Sequence, residues 1–497
     1  HSTLRLFRWK SEQCMEDTMI TNLREDEQHQ HKRGMGWVAN TAQVEDSVYV
    51  GPYAEGDAEL TLELWNYFSV QLGKEGLWPI ANLELDLLPC LVDMTMRGVR
   101  VDTEKVERTR DSLLKREREV LKEIKRISGS NVEIWAAQSL AKAFDKVGVH
   151  YPRTEKGAPS FTKLFLQEHE HPLAQLVTQA RNLNKTSGTF INTIMKHCHA
   201  DGRIHSHINQ IRSDDGGTVS GRISMSNPNL QQIPARDPEL GPMIRSLFLP
   251  EEGEQWAAID FSQQEPRILV HYAHVYGKTR GVPLEGAADF VKAYNDDPKT
   301  DFHSLVAEMA NIPRKQAKTI NLGLIYGMGV NKMSEQLDVT VEEAKALTKQ
   351  YHNRVPFVKQ LMDKASNRAQ DRGQIRTLLG RLCRFHLWEP NSFGMHKAMT
   401  HEDALAEHGP GIKRAYTYKS LNKLIQGSAA DMTKKSMLEL YKEGIVAHIQ
   451  IHDELCLSIE NDAQAKKIVE IMEQAVTLEV PNKVDYEHGK NWGSIND

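Results

Sequence analysis

The stretch IQIHDELCLSI, residues 449–459, decides how this chain is read. It is apolar and rich in β-formers, yet His452, Asp453 and Glu454 sit together at its centre. On strict period two, Ile449, Ile451, Leu455, Leu457 and Ile459 share one face, and Asp453 falls on that face with them. A carboxylate among buried side chains is costly unless it is paired or bound to a metal. A second acid has a similar setting: in AAIDFSQQEPR (257–267) Asp260 ends an apolar strand and precedes a helix with Pro266 in its first turn. A lone aspartate there also suits a helix N-cap. Two carboxylates on neighbouring strand ends, however, form a hard-oxygen site suited to Mg²⁺ rather than zinc.

Composition leaves room for such a site and excludes others. The 497 residues are 40% hydrophobic and 26% charged, an ordinary globular profile whose length suggests about three domains. A net charge of −5 gives no global basic field, so a nucleic-acid surface would have to be built locally. Five scattered cysteines argue against a disulfide framework and a Cys-rich zinc site. No apolar run reaches the length of a membrane span. The opening HSTLRLFRWK lacks Met and an apolar core, and is read as a fragment boundary rather than a leader.

The pattern predicts a helix over 48–72 and a highly charged helix over 98–130, with Asp102 as N-cap and Gly129 as stop. The charged helix suits either a solvated surface element or an arm lying along a polyanion. Residues 201–241, rich in Gly, Ser, Asn, Pro and Arg, read as short strands and ordered loops. RKQAKTINLGLIYG (314–327) continues a helix opened at Pro313, with Arg314, Lys318, Leu322 and Tyr326 each four residues apart on one face. That face runs about 18 Å and sets two cations before an apolar residue and a phenol, an order that fits a nucleoside triphosphate. An ordinary amphipathic helix has the same spacing. Gly323 and Gly327 weaken the helix and call for close approach or motion. TVSGRISMSNPNLQQIP (218–234) offers Arg222, Asn229, Gln231 and Gln232 as loop hydrogen-bonding groups, which turn chemistry alone also explains.

Taken in order, these segments resemble the A-family DNA polymerases of the DNA polymerase I type, over roughly residues 85–497. IDFSQQEPR, RKQAKTINLGLIYG and IQIHDEL carry the likeness, with SGRISMSNPNLQQIP and LNKLIQGSAAD as two further matches. The resemblance implies an α+β right hand with an antiparallel-sheet palm and helical fingers and thumb. The thumb is expected at 86–195, the palm at 196–300 and 430–497, and the fingers at 301–429. It implies that Asp260, Asp453 and the Phe261 carbonyl hold two Mg²⁺ ions, with Mn²⁺ able to substitute and Glu454 close by. Arg314, Lys318, His303 in DFHSL and Gln263 would then bind the dNTP, Lys318 also as a catalytic cation. Glu265, with Tyr326 near it, would exclude a ribose 2′-hydroxyl. Arg222, Asn229, Gln231, Asn422, Gln426 and His452 would contact the primer–template, whose minor-groove acceptors are alike for all pairs. It also implies a tight hairpin with the His-Asp-Glu stretch at its bend.

GPYAEGDAELTLEL (51–64) resembles the last motif of the family's 3′–5′ exonuclease, with Tyr53 and Asp57 on it. The earlier acidic motifs have no match in residues 1–50, so residues 1–85 are expected to be a truncated, inactive remnant of that α/β domain without proofreading. Leu322 stands where the family usually has an aromatic residue, and leucine cannot stack on a base through π-contact. The details lean toward bacteriophage or plastid-type members, and a cytoplasmic monomer is expected, with replisome accessory proteins left open. Three rivals remain: a single-subunit RNA polymerase, against which Glu265 argues; a non-catalytic DNA-binding subunit, against which the two aspartates argue; and a metallohydrolase on His452, Asp453 and Glu454, whose adjacent side chains point in opposite directions.

Overall fold

The computed structural model describes residues 50–495, apart from 213–216, 235–236, 393 and 395. The chain divides into two units, residues 1–75 and 76–497. In the first, the expected helix is Val50–Lys74 (α1), which exposes Tyr53, Trp65, Tyr67 and Phe68. The expectations for residues 1–49 lie outside the described residues.

The second unit begins with Trp78–Arg97 (α2), whose Leu83, Leu87, Leu91 and Met94 stripe is buried. The charged helix is Thr103–Ser128 (α3). Asp102 caps it by accepting from the Lys105 N–H at 2.9 Å, and Gly129 ends it at φ 66°. It is not wholly solvated. Val106, Leu113 and Val120, seven residues apart, are buried and join a core with Leu173, Val177 and Leu183 of Pro172–Lys185 (α4). Only the outer face of α3 carries its charge to solvent.

The sheet at the centre is antiparallel. Its strands are Gln255–Phe261 (β1), Ile449–Ile451 (β2), Glu454–Ile459 (β3) and Val484–Gly489 (β4), in the spatial order β2-β3-β1-β4. Each face serves a different core. Ala257, Ile259, Phe261, Leu455, Leu457 and Ile459 pack with the helices that follow β1, whereas Trp256, Ile449 and Cys456 pack with α3 and α4. This corrects the single-strand arithmetic: Ile449 and Leu455 face opposite cores because the chain reverses between them.

Gln264–Arg280 (α5) follows β1 directly, and after a further helix, Ala287–Asp296, come Phe302–Ala310 (α6) and Arg314–Ile325 (α7). Ser420–Lys442 (α9) runs past α5 and α2, after Pro356–Arg372 (α8) and a region of short strands between 374 and 414. One buried ionic cluster ties four segments together. Lys434 on α9, 1% exposed, donates from Nζ to Glu84 Oε1 (2.7 Å), Glu84 Oε2 (3.0 Å) and the Gln210 carbonyl (2.8 Å). Arg381 bridges Glu84 and Asp431, the latter at 2.7 Å. Burial would raise the Glu84 pKa, but Lys434 and Arg381 outweigh it and the value falls; burial lowers that of Lys434 despite the pair. The three bonds on Nζ identify the charged ammonium. Among the described residues no helix is long and apolar enough to cross a membrane.

Candidate active site at the hairpin end of the sheet

β2 and β3 are joined by two residues, His452 and Asp453, with Ile451 paired to Glu454. His452 takes φ 58° while Asp453 does not take a positive φ, the sign pattern of a type II′ hairpin turn. A histidine replaces the usual glycine there, and side chains hold the strained bend. Gln450 Nε2 donates to the His452 carbonyl at 2.6 Å, and Gln231 Nε2 donates to the Gln450 carbonyl at 2.9 Å. The Phe261 N–H donates to the Asp453 carbonyl at 3.3 Å, so the turn is laced to the end of β1.

The ladder places Asp260 opposite Glu454 on β3 and Asp485 on β4, three carboxylates in one row on one face of the sheet. Asp260 is open to solvent on one side of this cleft. The protein around it still raises its pKa well above the carboxylate range, and Asp453, Glu454, Asp485 and Glu487 push the same way. Asp453 is raised by burial too, against its own main-chain N–H and Arg222. An acid row with this charge balance fits a divalent cation. Among the described residues no three His, Cys, Asp or Glu side chains form a ready-made cage. That also suits Mg²⁺, which commonly takes one or two carboxylates and leaves its other positions to water and phosphate. Glu454 is steadied by the Cys456 thiol, which donates to Oε1 at 3.0 Å.

Past Asp260 the chain turns through Gln263 at φ 54° into α5. The Gln263 amide accepts from the Phe302 N–H at 2.7 Å and donates to the Thr300 carbonyl at 3.2 Å, so it joins the strand end to the start of α6. Glu265, in the first turn of α5, is buried and accepts from Arg222 Nη2 at 2.7 Å and Tyr326 Oη at 3.0 Å. Burial raises its pKa although both donors oppose the rise. Burial first, and then Glu265, push Tyr326 up to about 12, so the phenol keeps its proton.

The α7 stripe is realised. Arg314, Lys318 and Tyr326 are exposed and Leu322 half-buried, while Ala317, Ile320, Leu324 and Ile325 face the core. Gly323 lies where a Cβ would meet Met333 Cε at 2.5 Å, which gives its close approach a partner. His303 is buried, which lowers its pKa to about 4. The Asn321 side-chain amide lies 2.9 Å from His303 Nδ1. Arg314 Nε donates to Asp301 Oδ2 at 2.7 Å.

This order of parts is matched in known proteins. The model for "DNA polymerase family A" matches residues 103–494. The chain belongs to DNA polymerase family A. A DNA-directed DNA polymerase of Pseudomonas phage M6 is 35% identical over 493 residues, covering 90% of this chain and 70% of that one. A DNA polymerase DpoZ of Acinetobacter phage SH-Ab 15497 is 30% identical, covering 89% and 74%. The polymerase domain of Pol1 from M. smegmatis, solved with DNA primer-template and dNTP, superposes with a TM-score of 0.70 at 26% identity, covering 88% and 75%. The polymerase is thus a DNA-directed DNA polymerase with the right-hand fold.

Of the groups expected on the primer–template, Arg222 reaches Glu265, and Asn229 caps the short helix Leu230–Gln232 by accepting from the Gln231 N–H at 3.0 Å. Asn422 and Gln426 are half-buried on α9, and Gln426 works against the rise of the Tyr326 pKa. His452 is exposed at the hairpin bend. Tyr53 and Asp57 lie on α1 in the other unit. Sequence reasoning missed Asp301, Asn321, Gln450 and Asp485. Only Asp301 carried a signal, as the N-cap in TDFHS.

Proposed function

We propose that the polymerase extends a primer 3′-hydroxyl with dNMP from a dNTP on a DNA template, releasing pyrophosphate, with two Mg²⁺ ions at Asp260 and Asp453. The observation that carries this is the junction at Glu265. It ties Tyr326, the end of the cation stripe, to the helix that starts where the acid-bearing strand stops. Primer-template and dNTP in the M. smegmatis Pol1 structure support the same assignment. Asp260, Asp453 and the Phe261 carbonyl would hold the ions, with Glu454 beside them. Two such ions, when bound, supply Lewis acidity at the attacking and leaving oxygens of an in-line displacement.

The chain's own groups do the rest. Arg314 grips the triphosphate and Lys318 balances charge that builds on it. His303 helps them, and Gln263 holds the loop that carries it. Leu322 offers the base an apolar surface without π-stacking. Arg222, Asn229, Gln231, Asn422, Gln426 and His452 line the primer–template side. We assign residues 86–195 to the thumb, 196–300 and 430–497 to the palm and 301–429 to the fingers. Tyr53 and Asp57 we assign to the last motif of a 3′–5′ exonuclease, and the chain with this motif alone is expected not to excise a mismatched primer end.

Primer extension tests this directly. Extension should stop when any one templated dNTP is omitted or when EDTA removes divalent cations, and return with Mg²⁺ or Mn²⁺. Synthesis in excess chelator would sink the metal assignment, and excision of a mismatched primer end would sink the remnant. Glu265 supplies a second test. Its buried carboxylate, already satisfied by two donors, leaves a 2′-hydroxyl without room or partner. Such an unmade bond costs about 1–3 kcal/mol. Glu265→Ala should therefore raise ribonucleotide use relative to dNTP by roughly 100-fold. Equal use of rNTP and dNTP by the unaltered chain would instead favour an RNA polymerase.

A further inference from the structure

The α7 stripe begins with a cation that is already held. Asp301 Oδ2 accepts three hydrogen bonds: from the Ser304 N–H at 3.1 Å, from Ser304 Oγ at 2.5 Å and from Arg314 Nε at 2.7 Å. Ser304 Oγ also accepts from Arg314 Nε at 3.1 Å. One oxygen thus caps α6, the helix that carries His303, and clamps the first residue of α7. Both bonds to Arg314 use Nε. Among the described residues none bonds Nη1 or Nη2, and the side chain stays 56% exposed. Burial would raise the Asp301 pKa, but Arg314 and Ser304 hold it down at about 2, so the clamp keeps its charge at any working pH.

We propose that Asp301, seconded by Ser304, is a positioning residue for the incoming nucleotide: it fixes the Arg314 guanidinium through Nε and leaves both terminal nitrogens for a forked grip on the triphosphate. An arginine on a free stem must lose its rotamer freedom when the nucleotide binds. One already clamped has lost much of it, which favours binding. The anion sits behind Nε, so its charge orients the fork without occupying it. The inference rests on the assignment of Arg314 to the triphosphate.

The test separates clamp from cap. Asp301→Ser keeps a strong N-cap residue but cannot pair with Arg314. In steady-state extension with Mg²⁺, primer–template and the full chain, it should raise the KM for dNTP roughly five- to tenfold, with kcat and the thermal midpoint little changed. Asp301→Asn, which keeps the cap and an acceptor but not the charge, should fall between. In an Arg314→Ala background, Asp301→Ser should add nothing to KM. An unchanged or lowered KM in Asp301→Ser overturns the clamp, as does an equal rise in both backgrounds. If Arg314→Ala raises KM and Asp301→Ser does not, the clamp alone fails. If Arg314→Ala leaves KM unchanged, the triphosphate assignment fails and takes the clamp with it.

Discussion

Replacing Asp453 by Asn should slow primer extension about 1,000-fold or more, because a metal-held transition state loses several kcal/mol when a ligand charge goes. Primer–template affinity should stay within about twofold, since phosphate contacts by cationic and polar groups supply most of it. The amide keeps the size of the carboxylate, so the two-residue turn can persist, with Gln450 still donating to the His452 carbonyl. Single-turnover extension beside a DNA-binding titration measures both quantities. Undiminished extension would show that Asp453 holds no metal. Matched losses of extension and binding would show that the turn itself had collapsed.

The second large effect concerns stability. Lys434→Met swaps an ammonium for an apolar chain of similar volume, so the result reports charge rather than a cavity. It leaves Arg381 as the cation that Glu84 and Asp431 share, while Gln210 still donates to Glu84 and Thr377 to Asp431. Removing one partner from a buried ionic group costs about 3–5 kcal/mol. Equilibrium urea unfolding should show a loss of that order. Adding Glu84→Gln, which removes the stranded charge, should recover about half of it. A loss below about 1 kcal/mol would mean that water reaches the cluster.

Much of this site was legible in the sequence wherever chemistry and spacing coincide. The Arg314–Lys318–Leu322–Tyr326 stripe is a local pattern, and it folds as one face of α7 and its C-cap residue Tyr326. Asp102 and Gly129 marked the ends of α3 because caps are local too. The hairpin was hidden because its bend, His452–Asp453, carries no Asn-Gly or Asp-Gly. Period-two counting therefore ran straight through a reversal and put Ile449 and Leu455 on one face. The clamp on Arg314 comes from Asp301, in the preceding helix cap, and the ionic cluster draws Glu84, Arg381, Asp431 and Lys434 from distant stretches. No window of sequence contains such pairings, which only the tertiary fold creates. The charged surface of α3 concealed a seven-residue apolar spacing for a different reason: its charges outnumber the residues that pack.

The register that sets Asp260 against Glu454 and laces Phe261 to Asp453 is made by main-chain hydrogen bonds. Neighbouring strands lie about 4.8 Å apart whatever their side chains. The gap between the acids is therefore ruled by the backbone ladder, not by how any core residue happens to fill its space. Such a ruler lets a lineage exchange most of its interior and surface while the acids keep their mutual distance. A solved polymerase domain only 26% identical to this chain can then share its architecture.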